Sequence, residues 1–310
     1  MSKIGFVFPG QGSQKLGMLA DLAASFSVVE ETFAEASSAL GIDLWEVCQQ
    51  DPNEQLNQTQ ITQPALLAAS VAVWRVWTAA KGAQPSVFAG HSLGEYSALV
   101  CSGVLQFGDA IQLVHQRGLF MQSAVSPGAG KMAAIIGLDD SKIAGLCEQA
   151  AQGKVVSPAN FNSPGQTVIA GDAEAVERAM VLCKDAGAKR ALPLNVSVPS
   201  HCALMKPAAE KLESALAKVQ FGNAGIPVIQ NVNAQTCDDA QEIKKNLIKQ
   251  LYAPVLWVDS VKFMRAAGVD SAVECGPGRV LAGLIKRIEP EISCFASDDE
   301  ASLSSAIEEL

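Results

Sequence analysis

The six residues Gly90-His91-Ser92-Leu93-Gly94-Glu95 constrain the fold of this chain more than any other stretch. Ser86-Val87-Phe88-Ala89 runs into them, short and apolar at its centre, which predicts a strand. Tyr96-Ser97-Ala98-Leu99-Val100 leaves them without Pro or Gly, which predicts a helix. A strand that enters Gly-x-Ser-x-Gly and emerges as a helix is a nucleophile elbow. The turn is sharp, its serine is strained at the tip, and the hydroxyl is exposed at the carboxyl end of the strand. Gly90 and Gly94 flank Ser92 because a side chain at either would collide across the turn. The amide of Leu93, opening the helix, points to where an oxyanion would form. The plain alternative is a tight turn of small residues; the strand before it and the helix after it favour a nucleophile.

The rest of the chain can support such a site. Its 310 residues, 49% hydrophobic and 18% charged, hold an ample core, either as two domains or as one large α/β domain with an insertion. Eight cysteines (48, 101, 147, 183, 202, 237, 275 and 294) form no Cys-x-x-Cys, and no His cluster has metal-ligand spacing. That predicts free thiols in a reducing cytoplasm, with neither structural zinc nor a disulfide framework. Met1-Ser2-Lys3-Ile4 leads straight into a short strand with no apolar h-region or cleavage pattern, so no signal peptide is expected. Ala65 to Trp74 is the most apolar long run and is too short to span a bilayer. The net charge of −9 argues against nucleic acid and anionic membranes as partners. It leaves small anionic substrates open, since these need only a local positive site.

Along the chain, Ile4 to Phe8 reads as a buried strand ended by Pro9-Gly10-Gln11-Gly12-Ser13. That loop lacks the Lys-Ser/Thr ending of a P-loop and the spacing of a dinucleotide fingerprint. It is a tight turn or, as in other elbow-type enzymes, the source of a second oxyanion donor. Helices are predicted at 28–40, 44–50 and 65–80, with Thr62-Gln63-Pro64 as the entry to the last. Asp109 is expected to cap another. After the break Ser126-Pro127-Gly128-Ala129-Gly130 the pattern predicts strand 132–137, helix 141–152, strands 155–161 and 167–170, helix 174–186 and strand 189–198. This βαββαβ order is the ferredoxin-like plan. The fold class is therefore α/β, a large hydrolase-like domain (1–127 and 199–310) carrying a small inserted subdomain (128–198). Beyond it, helices are expected at 200–219, 239–251, 255–267 and 279–287, and strands at 227–231 and 272–275.

A serine nucleophile needs a base, and three histidines are available. His91 adjoins Ser92, where neighbours point apart, so a structural place is expected. His115 falls off the inner stripe of its helix. By elimination His201, in Val198-Pro199-Ser200-His201 where the insertion rejoins the main body, is the best base. Arg117 shares the apolar stripe Ala110, Leu113, Val114 and Met121. A guanidinium there is costly unless paired. Either an internal carboxylate, the commoner outcome, or an anionic ligand would pair it.

The chain at this point closely resembles the malonyl-CoA:acyl carrier protein transacylases, the malonyl-loading enzymes of dissociated (type II) fatty acid synthesis. The resemblance rests on Phe8-Pro9-Gly10-Gln11-Gly12-Ser13-Gln14, Thr62-Gln63-Pro64-Ala65, the Gly90–Glu95 motif, Arg117-Gly118 and Asn160-Phe161-Asn162-Ser163-Pro164-Gly165-Gln166. Pro199-Ser200-His201, Gln250-Leu251-Tyr252-Ala253-Pro254-Val255 and Gly276-Pro277-Gly278 extend it to nearly the whole chain, in order. It implies Ser92 as nucleophile and His201 as base then acid, oriented by a main-chain carbonyl near Gln250 in place of a triad acid. It implies an oxyanion hole from the amides of Gln11 and Leu93, and Arg117 as a bidentate grip on the malonyl carboxylate. Gln63, Asn160 and Asn162 would be supporting polar groups. The implied substrates are malonyl-CoA and phosphopantetheinylated acyl carrier protein, with no metal or cofactor, in a monomer. The basic pairs Lys189-Arg190 and Lys286-Arg287 are the expected carrier contacts. The rivals are a polyketide-type acyltransferase for a related acyl-CoA, a serine thioesterase, and a non-catalytic carrier-binding scaffold.

Overall fold

The computed structural model describes residues 3–196 and 198–310. Met1 and Ser2, in the expected lead-in to the first strand, and Ser197, within the strand expected over 189–198, lie outside the described residues. The chain runs through β1 (Lys3–Phe8), α1 (Ala20–Ser25), α2 (Val28–Leu40), α3 (Leu44–Gln49), α4 (Thr59–Ala79), β2 (Val87–Gly90), α5 (Gly94–Cys101) and α6 (Phe107–Ser123). It continues through β3 (Gly130–Ile136), α7 (Asp140–Ala151), β4 (Val156–Ser163), β5 (Gln166–Asp172), α8 (Ala173–Asp185) and β6 (Arg190–Pro193). The last part holds α9 (Lys206–Leu216), β7 (Val228–Ile229), α10 (Ala240–Gln250), α11 (Trp257–Ala266), β8 (Val269–Glu274), α12 (Val280–Ile288), β9 (Ser293–Ala296) and α13 (Glu300–Glu309).

A mixed α/β architecture with two sheets results. The first is parallel, in the order β7-β2-β1-β8-β9. Its central strands β1 and β2 are apolar on both faces because both faces are covered. Phe6 and Phe8 point into one core and Val7 into the other, and Phe88 and Ala89 divide the same way. On the first face Trp74 and Trp77 of α4 meet the Phe6 ring edge-on, with centroids 5.4 and 5.0 Å away. On the other face lie Trp257, Val261 and Met264 of α11 and Leu281, Leu284 and Ile285 of α12.

The second sheet is antiparallel, in the order β4-β5-β3-β6, built from the chain order β3-α7-β4-β5-α8-β6. Helices α7 and α8 cover one face through Ile143, Cys147, Val176 and Cys183. The other face carries Met132, Val168 and Ala170, packed on Cys202. Strand β4 is tied to the parallel-sheet side by Phe161 N to Val255 O (3.0 Å) and Val255 N to Ala159 O (2.9 Å).

Several boundaries differ from the sequence reading. Helix α4 begins at Thr59, so Pro64 is inside it rather than at its entry. Proline cannot donate to the carbonyl four residues back. That carbonyl, of Gln60, is instead 2.8 Å from His115 Nδ1 on α6, which gives this histidine a packing role. Helix α6 starts at Phe107 with Gln106 as its cap; Asp109 sits in the first turn, where its charge still faces the positive helix end. The strand expected over 189–198 forms only over Arg190–Pro193 within the described residues. The helix expected from Ser200 is interrupted by the left-handed backbone of His201 (φ 63°); a short turn at Ala203–Met205 precedes α9. Strand β9 and helix α13 had no assignment from sequence. Among the described residues no helix is long and apolar enough to cross a membrane.

Glycines at the strand-to-helix turn have a steric reason. A β-carbon on Gly90 would overlap the backbone of Gly94, and one on Gly94 would overlap the Phe8 carbonyl. Gly90→Ala is therefore expected to lower the free energy of unfolding by about 1–3 kcal/mol or more, the usual cost of overpacking. Gly145→Ala, on the exposed side of α7 with nothing near its added methyl, should raise it by about 0.5–1 kcal/mol. Urea midpoints of the two variants against the parent provide the check.

Candidate active site

Ser92 has φ 52°, a conformation a non-glycine residue rarely holds without outside support. The support comes from β7. Asn231, just past that strand, accepts the Ser92 amide at 2.7 Å through Oδ1 and donates through Nδ2 to Gly90 O at 2.6 Å. One side chain thus spans the elbow. The Ser92 amide is consumed in this bond. The next one, of Leu93, lies at the start of α5 and has no hydrogen-bond acceptor among the described residues.

The loop after β1 approaches the elbow backbone to backbone, with His91 N donating to Phe8 O at 3.0 Å. It carries Gln11, whose main-chain amide is likewise without an acceptor among the described residues. Gln11 and Leu93 both line a cavity of ≈ 220 Å³ that also exposes Ser92, Arg117, Asn160, Asn162 and His201. Its apolar lining includes Met132 and Val168 from the antiparallel sheet and Leu281 and Leu284 from α12.

His201 lies across from the serine, with Nε2 2.8 Å from Ser92 Oγ. Its Nδ1 is 2.7 Å from Gln250 O, and its backbone N donates to Leu251 O at 3.0 Å. Both carbonyls stand at the end of α10, where no following turn supplies amides. The helix end thus orients the ring by a carbonyl in the place where a carboxylate often stands, and Nδ1 carries the proton. Burial holds the imidazole far below its usual range, at about 3, and the nearby Arg117 charge adds to this. The ring is neutral, with Nε2 free to take a proton from the serine.

Arg117 is 1% exposed. Its Nη1 donates to Gln63 Oε1 at 2.8 Å and its Nη2 to Gln250 Oε1 at 3.0 Å, with Nη2 also 3.5 Å from Ser92 Oγ. The guanidinium sits over the Tyr96 ring at 5.4 Å. Among the described residues it forms no ion pair, so the internal carboxylate partner that its helix stripe suggested is absent. Two amides take that place.

His91 turns away from the serine; its Nε2 meets Asn162 Oδ1 at 2.8 Å and its ring packs on Trp257. This links the elbow to β4, which also places Asn160 on the cavity wall. Cys202, beside His201, is buried with Sγ toward Pro199 O at 3.2 Å, and burial pushes its thiol up to about 12. Glu95 and Asn231 contribute to the site without having been singled out by sequence. Glu95 lay inside the quoted elbow motif, but no local pattern points from either residue to Gln250. Among the described residues no cluster of three or more His, Cys, Asp or Glu side chains could hold a metal ion.

The chain matches the family described as acyl transferase domain over residues 5–290. It is 60% identical over 307 residues to the malonyl CoA-acyl carrier protein transacylase of Salmonella typhimurium, covering 99% of each chain. It is 44% identical over 311 residues to the protein of that name in Bacillus subtilis, covering 100% of this chain and 98% of that one. Among solved structures, it superposes with TM-score 0.98 and 59% identity, over the whole of both chains, on a malonyl-transacylase in complex with its holo type II PKS acyl-carrier protein. An acyl carrier protein S-malonyltransferase from Vibrio cholerae gives TM-score 0.96 and 61% identity over 98% of this chain and 99% of that one.

The electrostatics of His201 can be tested directly. In the folded protein the ring should stay neutral as pH falls through 6.5 towards about 3, whereas in the unfolded chain it protonates near 6.5. The folded state then binds fewer protons, so this group removes stability progressively as pH falls across that window. Ring-carbon NMR shifts of His201 should be flat between about pH 8 and pH 5; a titration midpoint near the ordinary imidazole value would place the ring in water.

Proposed function

This chain belongs to the acyl transferase family, and we propose that it is an acyl carrier protein S-malonyltransferase, moving malonyl from coenzyme A to the phosphopantetheine thiol of acyl carrier protein for fatty acid synthesis. One observation carries the residue-level reading. The Ser92–His201–Gln250 carbonyl chain ends beside a buried guanidinium that is held by amides and, among the described residues, pairs with no carboxylate.

Ser92 Oγ gives its proton to His201 Nε2 and attacks the thioester carbonyl of malonyl-CoA. The amides of Gln11 and Leu93 hold the oxyanion, and the carbonyl end of α10 favours the transient imidazolium. The tetrahedral intermediate collapses, the coenzyme A sulfur leaves with the proton from His201, and a malonyl-Ser92 ester remains. The carrier thiol then passes its proton to His201 and attacks the ester, and Ser92 Oγ recovers the proton as it leaves. Each half-reaction exchanges one acyl bond for another of similar energy, with no change of oxidation state, so no redox cofactor is called for.

Arg117 presents a planar fork to the planar malonyl carboxylate, and Gln63 and Gln250 hold that fork in place. Asn162 fixes His91 behind the elbow, and Asn160 lines the acyl pocket. At the level of architecture, the parallel-sheet part (1–127 and 199–310) is read as hydrolase-like and 128–198 as a ferredoxin-like insertion; the strand order β4-β5-β3-β6 supports the latter. The exposed pairs Lys189-Arg190 and Lys286-Arg287 are close in sequence to residues that line the cavity, Leu194 and Val196 for the first and Leu281 and Leu284 for the second, and suit an acidic carrier. Eight free thiols fit a cytoplasmic setting.

The deciding experiment is intact mass after incubation with malonyl-CoA. The parent should gain one malonyl group on Ser92 and lose it to holo-carrier much faster than to water; release to water alone would make it a thioesterase. Ser92→Ala should gain none. His201→Ala should acylate about 10²–10⁴ times more slowly, the usual range for a lost general base.

Arg117→Ala tests specificity. A carboxylate stranded in a dry pocket costs about 3–5 kcal/mol, so malonyl transfer should fall by a few powers of ten while acetyl transfer falls far less. Arg117→Lys should recover only part of the malonyl activity, because a point charge lacks the fork. Specificity constants for malonyl-CoA and acetyl-CoA give the readout, and an equal loss for both would make Arg117 a packing residue only.

A further inference from the structure

A buried cation with no carboxylate against it still needs a counter-charge. Glu95, on the first turn of α5 and 1% exposed, is the carboxylate that the Arg117 charge feels. The two do not touch. Gln250 stands between them, its Oε1 accepting from Arg117 Nη2 at 3.0 Å and its Nε2 donating to Glu95 Oε2 at 2.8 Å. The same carboxylate oxygen accepts the Asn231 amide at 3.0 Å, and Gln250 Nε2 also reaches Ser92 O at 3.0 Å.

This arrangement decides which way the Gln250 amide faces. The opposite flip would put its carbonyl oxygen against the carboxylate and its NH2 against the guanidinium, two repulsive contacts in a dry site. A direct Arg117–Glu95 pair would behave differently. A carboxylate in bidentate contact would occupy the edge of the guanidinium that a substrate carboxylate needs.

We propose that Glu95 is a positioning residue that determines acyl specificity: it supplies the counter-charge of Arg117 from one amide away, and this spacing leaves the guanidinium fork open for the carboxylate of the acyl group. The proposal rests on the malonyltransferase reading above. Because Gln250 also offers its main-chain carbonyl to His201, Glu95 braces the base through the same residue.

The decisive variant exchanges the two side chains, Glu95→Gln with Gln250→Glu. The site keeps one carboxylate and one amide, and residue 250 keeps its carbonyl toward His201. The negative charge, however, moves from one amide away into contact with Arg117. Acylation of Ser92 is followed by intact mass with malonyl-CoA and with acetyl-CoA, at about pH 8 so that a carboxyl raised by burial to about 7 is ionised.

The exchange should lower the malonyl-to-acetyl ratio by roughly 100-fold or more, as expected when an internal charge competes for the fork. Glu95→Gln alone, which frees the amide to flip, should lower the ratio by about 10-fold. A folded exchange variant, judged by its melting curve and by acetylation of Ser92, that keeps the parent ratio overturns the proposal. Equal losses for both acyl groups also overturn it, because they would make Glu95 purely structural. Should the exchange variant not fold, the single variant decides by the same two criteria. A parent protein that gains no malonyl mass at all is a separate outcome: it sinks the transferase reading and this proposal with it.

Discussion

A positive φ at Ser92 has to be held, and most of the architecture around the site holds it. Left to itself, such a backbone costs about 1–3 kcal/mol and would relax. Here β2 delivers the chain into the turn, α5 takes it away, and Asn231 from the neighbouring strand end bonds both Ser92 N and Gly90 O. Gly90, Gly94 and the Phe8 carbonyl are packed too closely for any side chain to intervene. The order β7-β2-β1 matters for this reason, since it puts the β1 loop on one side of the elbow and the β7 end on the other. The strain then aims the hydroxyl at the cavity instead of at the sheet.

Helix ends do much of the remaining polar work. Among the described residues, the start of α5 leaves the Leu93 amide without an acceptor, and the end of α10 leaves carbonyls without intrahelical amides. The first belongs to a residue that lines the cavity. The second receives the Nδ1 proton of His201. A third unsatisfied group, the Gln60 carbonyl opposite Pro64, is closed by His115 and so fixes α6 against α4. That contact sets where Arg117 emerges, because Gly118 beside it packs onto the Gln60 backbone.

Burial then sets the charge states. Desolvation lowers His201 and Arg117 and raises Glu95, each against its charged form. Hydrogen bonds and the opposite charges of Glu95 and Arg117 act against it for that pair. Gln250 joins the two balances, since its side chain separates Arg117 from Glu95 and its main chain orients His201. One residue thus touches both the Arg117 guanidinium and the His201 ring.

The sequence by itself determined the local parts. Short apolar runs marked most strands of the two sheets, and the glycine spacing around Ser92 marked the elbow, because these depend on neighbours within a few residues. The motif match was long enough to bring His201, Arg117 and Gln250 to one site on paper. Tertiary structure alone decided what stands between them. Nothing near Arg117 in the chain says that its partners are Gln63 and Gln250, 54 and 133 residues away, and not a carboxylate. Asn231 is 139 residues from the amide it holds. Pro64 signals a helix start in isolation, but the packed histidine that satisfies its orphaned carbonyl lets the helix begin at Thr59. Strand β9 and helix α13 gave no strong periodic signal and are ordered by packing on β8 and α1. A local pattern records what a residue does to its own backbone; the partner that satisfies a buried polar group is chosen by which distant segments the sheet brings together.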